Sequence, residues 1–152
     1  MDRTDALILD ALLRDGRMQN NDLAALVNLS PSPCLRRVRS LEEAGVILGY
    51  TALLDPTKVG LGLLAYVSVK LEKKGQMPAA EFARAVNAWP EVIECHSLTG
   101  DMDYLMRVQV EDLAHFSRFM MGKLLEQPGV ADVKSSFALE RVKQTAVLPL
   151  LR

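Results

Sequence analysis

The chain is short of cysteine, histidine, aromatic residues and any surplus of charge, and each shortage excludes something. Its two cysteines, Cys34 and Cys95, stand 61 positions apart with no CxxC pair and no Cys/His ligand spacing. Neither a disulfide framework nor a zinc site is indicated, and both read as reduced, packed thiols. The two histidines, His96 and His115, are 19 positions apart, with no nucleophile, metal-ligand or phosphate-loop spacing beside either. That leaves an enzyme little to work with. The net charge is −1, and neither part of the chain is basic: residues 1–60 carry 7 basic and 8 acidic side chains, residues 61–152 carry 11 of each. A nucleic-acid site therefore has to come from local placement of charge. No apolar run approaches the roughly 20 residues that a membrane helix needs. The most hydrophobic stretch, residues 59–69, is interrupted by Gly60, Gly62 and Ser68. The opening MDRTDALILD puts acidic residues where a signal peptide has a basic region, so a cytoplasmic protein with no membrane partner is expected.

What is present is the mixture of a chain that can bury a core: 49% of its 152 residues are hydrophobic and 24% charged. The segment TDALILDALLRDGR offers Thr4 or Asp5 as a helix cap, apolar positions Ile8, Leu9, Leu12 and Leu13, and Gly16 as a stop. A second short helix follows in QNNDLAALVNLS, with Asn20 or Asn21 as cap, Leu23, Leu26 and Val27 to bury, and a turn at Asn28, Leu29 and Ser30. The third begins in Ser-Pro-Ser-Pro, where Ser32 can cap and Pro33 can take the first helical position. In it Leu35, Val38 and Leu41 recur at a spacing of three to face the other helices. Arg36, Arg37 and Ser40 occupy the opposite face, with Arg39 on its flank and Gly45 at its end. The following VILGYTALLDP reads as two short strands around Gly49, the place of a wing. Three helices with a tight turn before the third match the helix-turn-helix plan, in which that helix enters the major groove. Arginine suits the task because its planar fork donates two bonds to a guanine or a phosphate. A solvated charged face, with Glu42 and Glu43 as the partners of these arginines, is the plain alternative.

Beyond Pro56 the periodicity changes. LLAYVSVKLE alternates as a strand, PAAEFARAVNAW has the period of a helix, and VIECHSLTG and YLMRVQV read as strands around a loop. DLAHFSRFMMGKLLEQ is again helical and VADVKSSFALERVK again a strand. The order βαββαβ predicts a ferredoxin-like four-stranded antiparallel sheet with two helices on one face. The uncovered face, with Leu64, Tyr66 and Leu105 on it, calls for a second chain. Between the middle strands, GDMDY places Gly100, Asp101, Met102, Asp103 and Tyr104 in one turn. Such a turn can present N–H groups and a carboxylate together, as a zwitterionic amino acid requires. An ordinary Asp-rich turn reads the same way.

LSPSPCLRRVRSLEEAGVILGYTALLDP, ECHSLTGDMDYLMRV and ERVKQTAVLPLL together resemble the Lrp/AsnC (feast/famine) family of transcription regulators, in order and over residues 2–148. The resemblance implies an α+β fold with a winged helix-turn-helix over residues 1–50, a hinge strand or linker over 51–60, and a ferredoxin-like, RAM-type ligand-binding and oligomerising domain over 61–152. It implies sequence-specific regulation of transcription on double-stranded DNA at the nucleoid, by homodimers that assemble to an octamer. It further implies an amino-acid effector of the leucine or methionine kind, held between dimers, that changes assembly and DNA binding, with no other cofactor and no metal. On that reading Ser30, Ser32, Pro33, Arg36, Arg37, Arg39 and Ser40 serve DNA. Leu98, Gly100, Asp101, Met102, Asp103, Tyr104, Leu113, Ser135, Ser136, Phe137 and Ala138 serve the effector. Leu98, Met102, Leu113 and Phe137 would line its side-chain pocket. The chain departs from the leucine-responsive pattern at Ser136, where an aromatic is expected, and at Phe137, where a smaller aliphatic is expected.

Two rivals belong to other classes. One is an enzyme on the same scaffold using Asp101, Asp103 or His96 as acid or base. The other is an architectural protein that wraps DNA and senses nothing.

Overall fold

A computed structural model describes residues 1–72, 79–145 and 147–150. The chain divides into two compact units, Met1–Leu53 with Val142–Arg152, and Leu54–Arg141.

In the first unit three helices, α1 (Arg3–Arg14), α2 (Asn20–Leu26) and α3 (Pro31–Glu43), enclose Ile8, Leu9, Ala11, Leu23, Ala24, Val27, Cys34 and Leu41. The turns follow the chain's own signals. Asn28, in the left-handed conformation at φ 56°, ends α2 while the Leu29 N–H donates to the Ala24 carbonyl at 2.9 Å. Gly45, at φ 69°, does the same for α3, with the Val46 N–H on the Leu41 carbonyl at 2.9 Å. Both are six-to-one closures that satisfy carbonyls a helix end would leave bare.

The starts differ from expectation. α1 is capped by Asp2, not Thr4 or Asp5: Asp2 accepts from the Asp5 N–H at 2.9 Å, and Asp5 accepts from the Asp2 N–H at 2.8 Å. This reciprocal capping box needs an acceptor at the third helical position, and aspartate supplies it here. For α2 the cap is Gln19 without a side-chain bond, because Asn20 instead donates through Nδ2 to the Pro31 carbonyl at 2.9 Å and ties the two helices together. α3 begins two residues early, with Ser30 as cap and Pro31 first, leaving Ser32 and Pro33 inside the first turn. Its buried stripe runs Cys34, Val38, Leu41 at four-and-three spacing, while Leu35 is 39% exposed. Leu26 of α2 is exposed as well.

No strand forms over residues 46–55, and the expected wing hairpin and hinge strand are absent among the described residues. A strand needs a ladder partner, and here Leu48 is 94% exposed, with Leu53 and Leu54 largely so. Downstream, Asp55 accepts from the Thr57 N–H at 3.0 Å and the Thr57 hydroxyl at 2.7 Å, and Pro56 leads a 3₁₀ turn, Thr57–Val59. That local bonding competes with extension.

The second unit has the expected order: β1 (Leu63–Leu71), α4 (Ala79–Asn87), β2 (Val92–Ser97), β3 (Tyr104–Val110), α5 (Leu113–Phe119) and β4 (Val130–Phe137). Pro78, read as the start of α4, lies outside the described residues. The sheet order is β2-β3-β1-β4 and every pairing is antiparallel. Alternation sends Ala65, Val67 and Val69 of β1 and Met106, Val108 and Val110 of β3 against Phe82, Val86, Phe116, Phe119 and Leu124. Both helices therefore cover one face. α5 continues through a π turn, Met120–Leu124, closed by the Leu125 N–H on the Met120 carbonyl at 2.9 Å.

The opposite face carries Leu64, Tyr66, Ser68 and Leu105 beside Arg107, Gln109, Lys134 and Ser136. It is more polar than expected. Gln109 is nonetheless buried there, its Nε2 donating to the Leu61 and Leu63 carbonyls at 2.7 and 3.1 Å.

At the helix-covered side, Glu91 sits with Lys123 Nζ at 2.7 and 3.0 Å and His115 Nε2 at 3.8 Å. Burial alone would push the Glu91 carboxyl up, but the Lys123 ammonium, Glu91's own backbone N–H and the nearby His115 together outweigh it and hold the carboxyl below its usual range. A depressed folded pKa means the stabilisation is complete above the unfolded value and is lost as pH falls through the folded one. Acid titration of the full chain, followed by circular dichroism, should therefore show a shallower acid limb in Glu91→Gln than in wild type. Parallel limbs would contradict the pairing.

Candidate nucleic-acid interface and effector site

The exposed side of α3 is built by the spacing Ser32, Arg36, Arg39, Ser40 and Glu43, at intervals of four, three, one and three. Arg36 and Arg39 are exposed and make no hydrogen bond or ion pair among the described residues. Glu42, expected to partner an arginine, accepts from the Tyr50 hydroxyl at 3.0 Å instead. Two guanidiniums on adjacent turns with unspent donors are what a phosphate or a guanine edge requires. Ser30 is an exposed cap and Pro33 is half-buried, so the start of α3 presents Ser30 and Ser32 to solvent.

Arg37 is placed differently. It lies toward α1, and its Nη1 donates to Asp2 Oδ2 and Asp5 Oδ1, both at 2.7 Å. Asp5, and then Asp2, raise the guanidinium's pKa, while the Asp5 backbone N–H, and then Arg37, hold the Asp2 carboxyl below its ordinary value. Helical spacing alone puts Arg37 with Arg36 on the open face, and the ion pairs to α1 draw it away. Asp2 and Asp5, which that spacing misses, were visible as an Asp-x-x-Asp pair ahead of an apolar run.

The residues assigned to the effector fall into two groups. The 100–104 turn sits at the end of β1: the Leu71 N–H donates to Asp103 Oδ2 at 2.7 Å and the Asp103 N–H to the Val69 carbonyl at 2.9 Å. The Leu98 N–H closes the loop on the Asp103 carbonyl at 2.8 Å, and Gly100 stands at φ 117°, where a side chain would be strained. Asp101 is held by Lys70 at 2.8 Å, with Lys134 at 3.9 Å. The Tyr104 ring lies 4.7 Å from that of Phe82, and Met102 is half-buried.

The second group is at the other end of the sheet. Ser135, Ser136 and Phe137 pair with Val67, Tyr66 and Ala65, and the Ala138 N–H donates to the Leu64 carbonyl at 2.9 Å. Phe137, 40% exposed, sets its ring 5.0 Å from Phe116, and Leu113 is 62% exposed. Ala65 and Val69 are four strand positions apart, about 13 Å. Within one chain Leu98 and Met102 thus lie apart from Leu113 and Phe137, so a pocket lined by all four needs residues from more than one chain, as the expected site between dimers does. Asp103 is also a structural acceptor, with Oδ2 engaged and Oδ1 without a partner among the described residues.

Both thiols are free, and burial pushes each thiol's pKa up, which suppresses the reactive thiolate. No described helix is long and apolar enough to cross a membrane.

Residues 64–148 match the Lrp/AsnC ligand binding domain, and residues 1–47 match a winged helix-turn-helix DNA-binding family. The chain belongs to the Lrp/AsnC family. This Lrp/AsnC chain is 42% identical over 150 residues to the leucine-responsive regulatory protein of Haemophilus influenzae, covering 99% of this chain and 90% of that one. To the leucine-responsive regulatory protein of Escherichia coli K12 it is 41% identical over 145 residues, 95% of this chain and 88% of that one. Among solved structures it superposes at TM-score 0.93 and 45% identity on a transcriptional regulator from Neisseria meningitidis in complex with L-Met, with 98% and 96% of the two chains covered. An AsnC family transcriptional regulator from Agrobacterium tumefaciens gives 0.90 at 40% identity, with 98% and 97% covered. The Lrp/AsnC protein is thus a DNA-binding transcription regulator with a ligand-binding domain, and these relatives are regulators.

Proposed function

We propose that this Lrp/AsnC protein is a sequence-specific regulator, without enzymatic activity, acting on double-stranded DNA at the cytoplasmic nucleoid. Its DNA binding and assembly are modulated by leucine, methionine or a similar amino acid held between dimers of an octamer. The observation that carries the reading is the likeness, at 45% identity and TM-score 0.93, to a regulator complexed with L-Met. The DNA side rests on Arg36 and Arg39 with Ser32 and Ser40, and the ligand side on the two groups of residues at opposite ends of the sheet.

The 100–104 turn, with Asp103 Oδ1 unspent, would take the ammonium and carboxylate of the ligand through charge-assisted bonds. Leu113 and Phe137 from another chain would then face its side chain. None of Leu98, Met102, Leu113 and Phe137 is charged, and a charged ligand side chain buried against them would cost several kcal/mol. An apolar pocket separates ligands one methylene apart by only about 1–3 kcal/mol, so leucine and methionine should both bind.

Calorimetry with the common amino acids tests this. Leucine and methionine should bind, and aspartate and lysine should not. Asp103→Asn, which keeps an acceptor for the Leu71 N–H but loses the charge, should weaken leucine or methionine binding about tenfold or more, the worth of a bond to a charged group. Tight binding of aspartate, or an Asp103→Asn variant with wild-type affinity, would put the effector elsewhere.

A further inference from the structure

Of three arginines on α3, Arg36 and Arg39 make no hydrogen bond or ion pair among the described residues while Arg37 is ion-paired through Nη1, and the difference assigns separate tasks. Arg37 is 36% exposed and its Nη1 is shared between two carboxylates at 2.7 Å, one of them, Asp5, only 15% exposed. Those carboxylates are already fixed, because each accepts a backbone N–H of the α1 capping box. The guanidinium is therefore tied through Nη1 to a fixed point on another helix rather than to a mobile side chain. Two charge-assisted bonds from one nitrogen to carboxylates of two residues hold that end of the side chain against α1. Arg36 precedes Arg37 by one residue and Arg39 follows it by two. Whatever fixes the Arg37 turn of α3 fixes the direction in which both of them project.

We propose that Arg37 is a positioning residue and not a DNA ligand: clamped by Asp2 and Asp5, it sets α3 against the first turn of α1, so that Arg36 and Arg39 meet the duplex at a fixed angle. The idea rests on the reading of α3 as the DNA-contacting helix. It divides an apparently uniform basic face into two contacting arginines and one that acts through them.

The opposed signs of two variants make the test. Asp2→Asn with Asp5→Asn keeps oxygen acceptors for the capping box, since asparagine caps as well as aspartate, and removes the charges that hold Arg37. If Arg37 positions α3, this double variant should bind a duplex selected from random-sequence DNA about tenfold more weakly, within the range that coupled groups in one network span. Arg37→Ala should lose about the same amount, and the triple variant should lose no more than either. The slope of log affinity against log salt on an unrelated duplex should stay at the wild-type value in all three, because no phosphate contact has gone. If Arg37 instead touches phosphate, removing two competing carboxylates should leave DNA binding unchanged or tighter, and Arg37→Ala should lower the slope by about one. Either result overturns the proposal. Thermal melts of each full-length variant identify loss of fold. Arg36→Ala with Arg39→Ala runs alongside: wild-type affinity in that control would sink the reading of α3 itself, separately from the role of Arg37.

Discussion

Replacing Arg36 and Arg39 together by alanine is expected to reduce specific DNA affinity by about 100-fold or more while leaving the melting temperature of the free protein unchanged. Each side chain is exposed and unpartnered among the described residues, so the unbound fold loses nothing by the change. In the complex each can make a bidentate contact with about 1–3 kcal/mol of discrimination, and about 1.4 kcal/mol is tenfold. Two such contacts give the stated factor. Removing phosphate contacts would also flatten the salt dependence of the binding that remains. Filter binding or fluorescence anisotropy at several salt concentrations measures both effects, and unchanged affinity with an unchanged slope would mean that α3 is not the reading helix.

The second large effect is expected at Phe82. Its ring is fully buried beneath the sheet and meets the rings of Trp89, at 6.3 Å, and Tyr104, at 4.7 Å. Truncating a buried phenylalanine to alanine costs about 3–5 kcal/mol, the lost transfer energy plus the cavity left behind. That is a large part of what a small domain has in reserve. Phe82→Ala should therefore unfold the Leu54–Arg141 unit at a much lower denaturant concentration and abolish the proposed amino-acid response, because the Phe82 ring supports Tyr104 at the end of the 100–104 turn. Phe82→Leu, which keeps most of the volume, should retain both. Denaturation of the full chain by urea, read by tryptophan fluorescence from Trp89, separates the outcomes. A midpoint for Phe82→Ala close to wild type would show that the ring is not the anchor described.

The parts of the fold that depend on neighbours in sequence were legible. Asn28 and Gly45 end helices because few other residues accept a positive φ, and the βαββαβ order follows from two periodicities that composition displays directly. Errors of phase were small but systematic: one turn in α3 was read from Leu35 when the core takes Cys34, since a cysteine is less conspicuous than a leucine though it buries as readily. The pairing of Arg37 with residues 32 and 35 positions away could not be read from α3 alone, because every local rule treats an arginine on a helix as exposed. The separation of the two effector groups along one chain was not legible for a related reason. Sequence order shows which loops exist, but register decides which ends of a sheet they reach, and Ala65 against Phe137 fixes that.

The separation of the two residue groups along β1 has a consequence for dosage. On the composite reading, a ligand that spans both groups must touch two chains, so its binding is linked by mass action to their association. Half-saturation would then fall as the regulator's own concentration rises, and a dilute sample would look insensitive to an amino acid that a concentrated one binds readily. The protein would report the product of two abundances, nutrient and regulator, so any gene that alters its copy number would also retune the threshold at which the cell registers plenty.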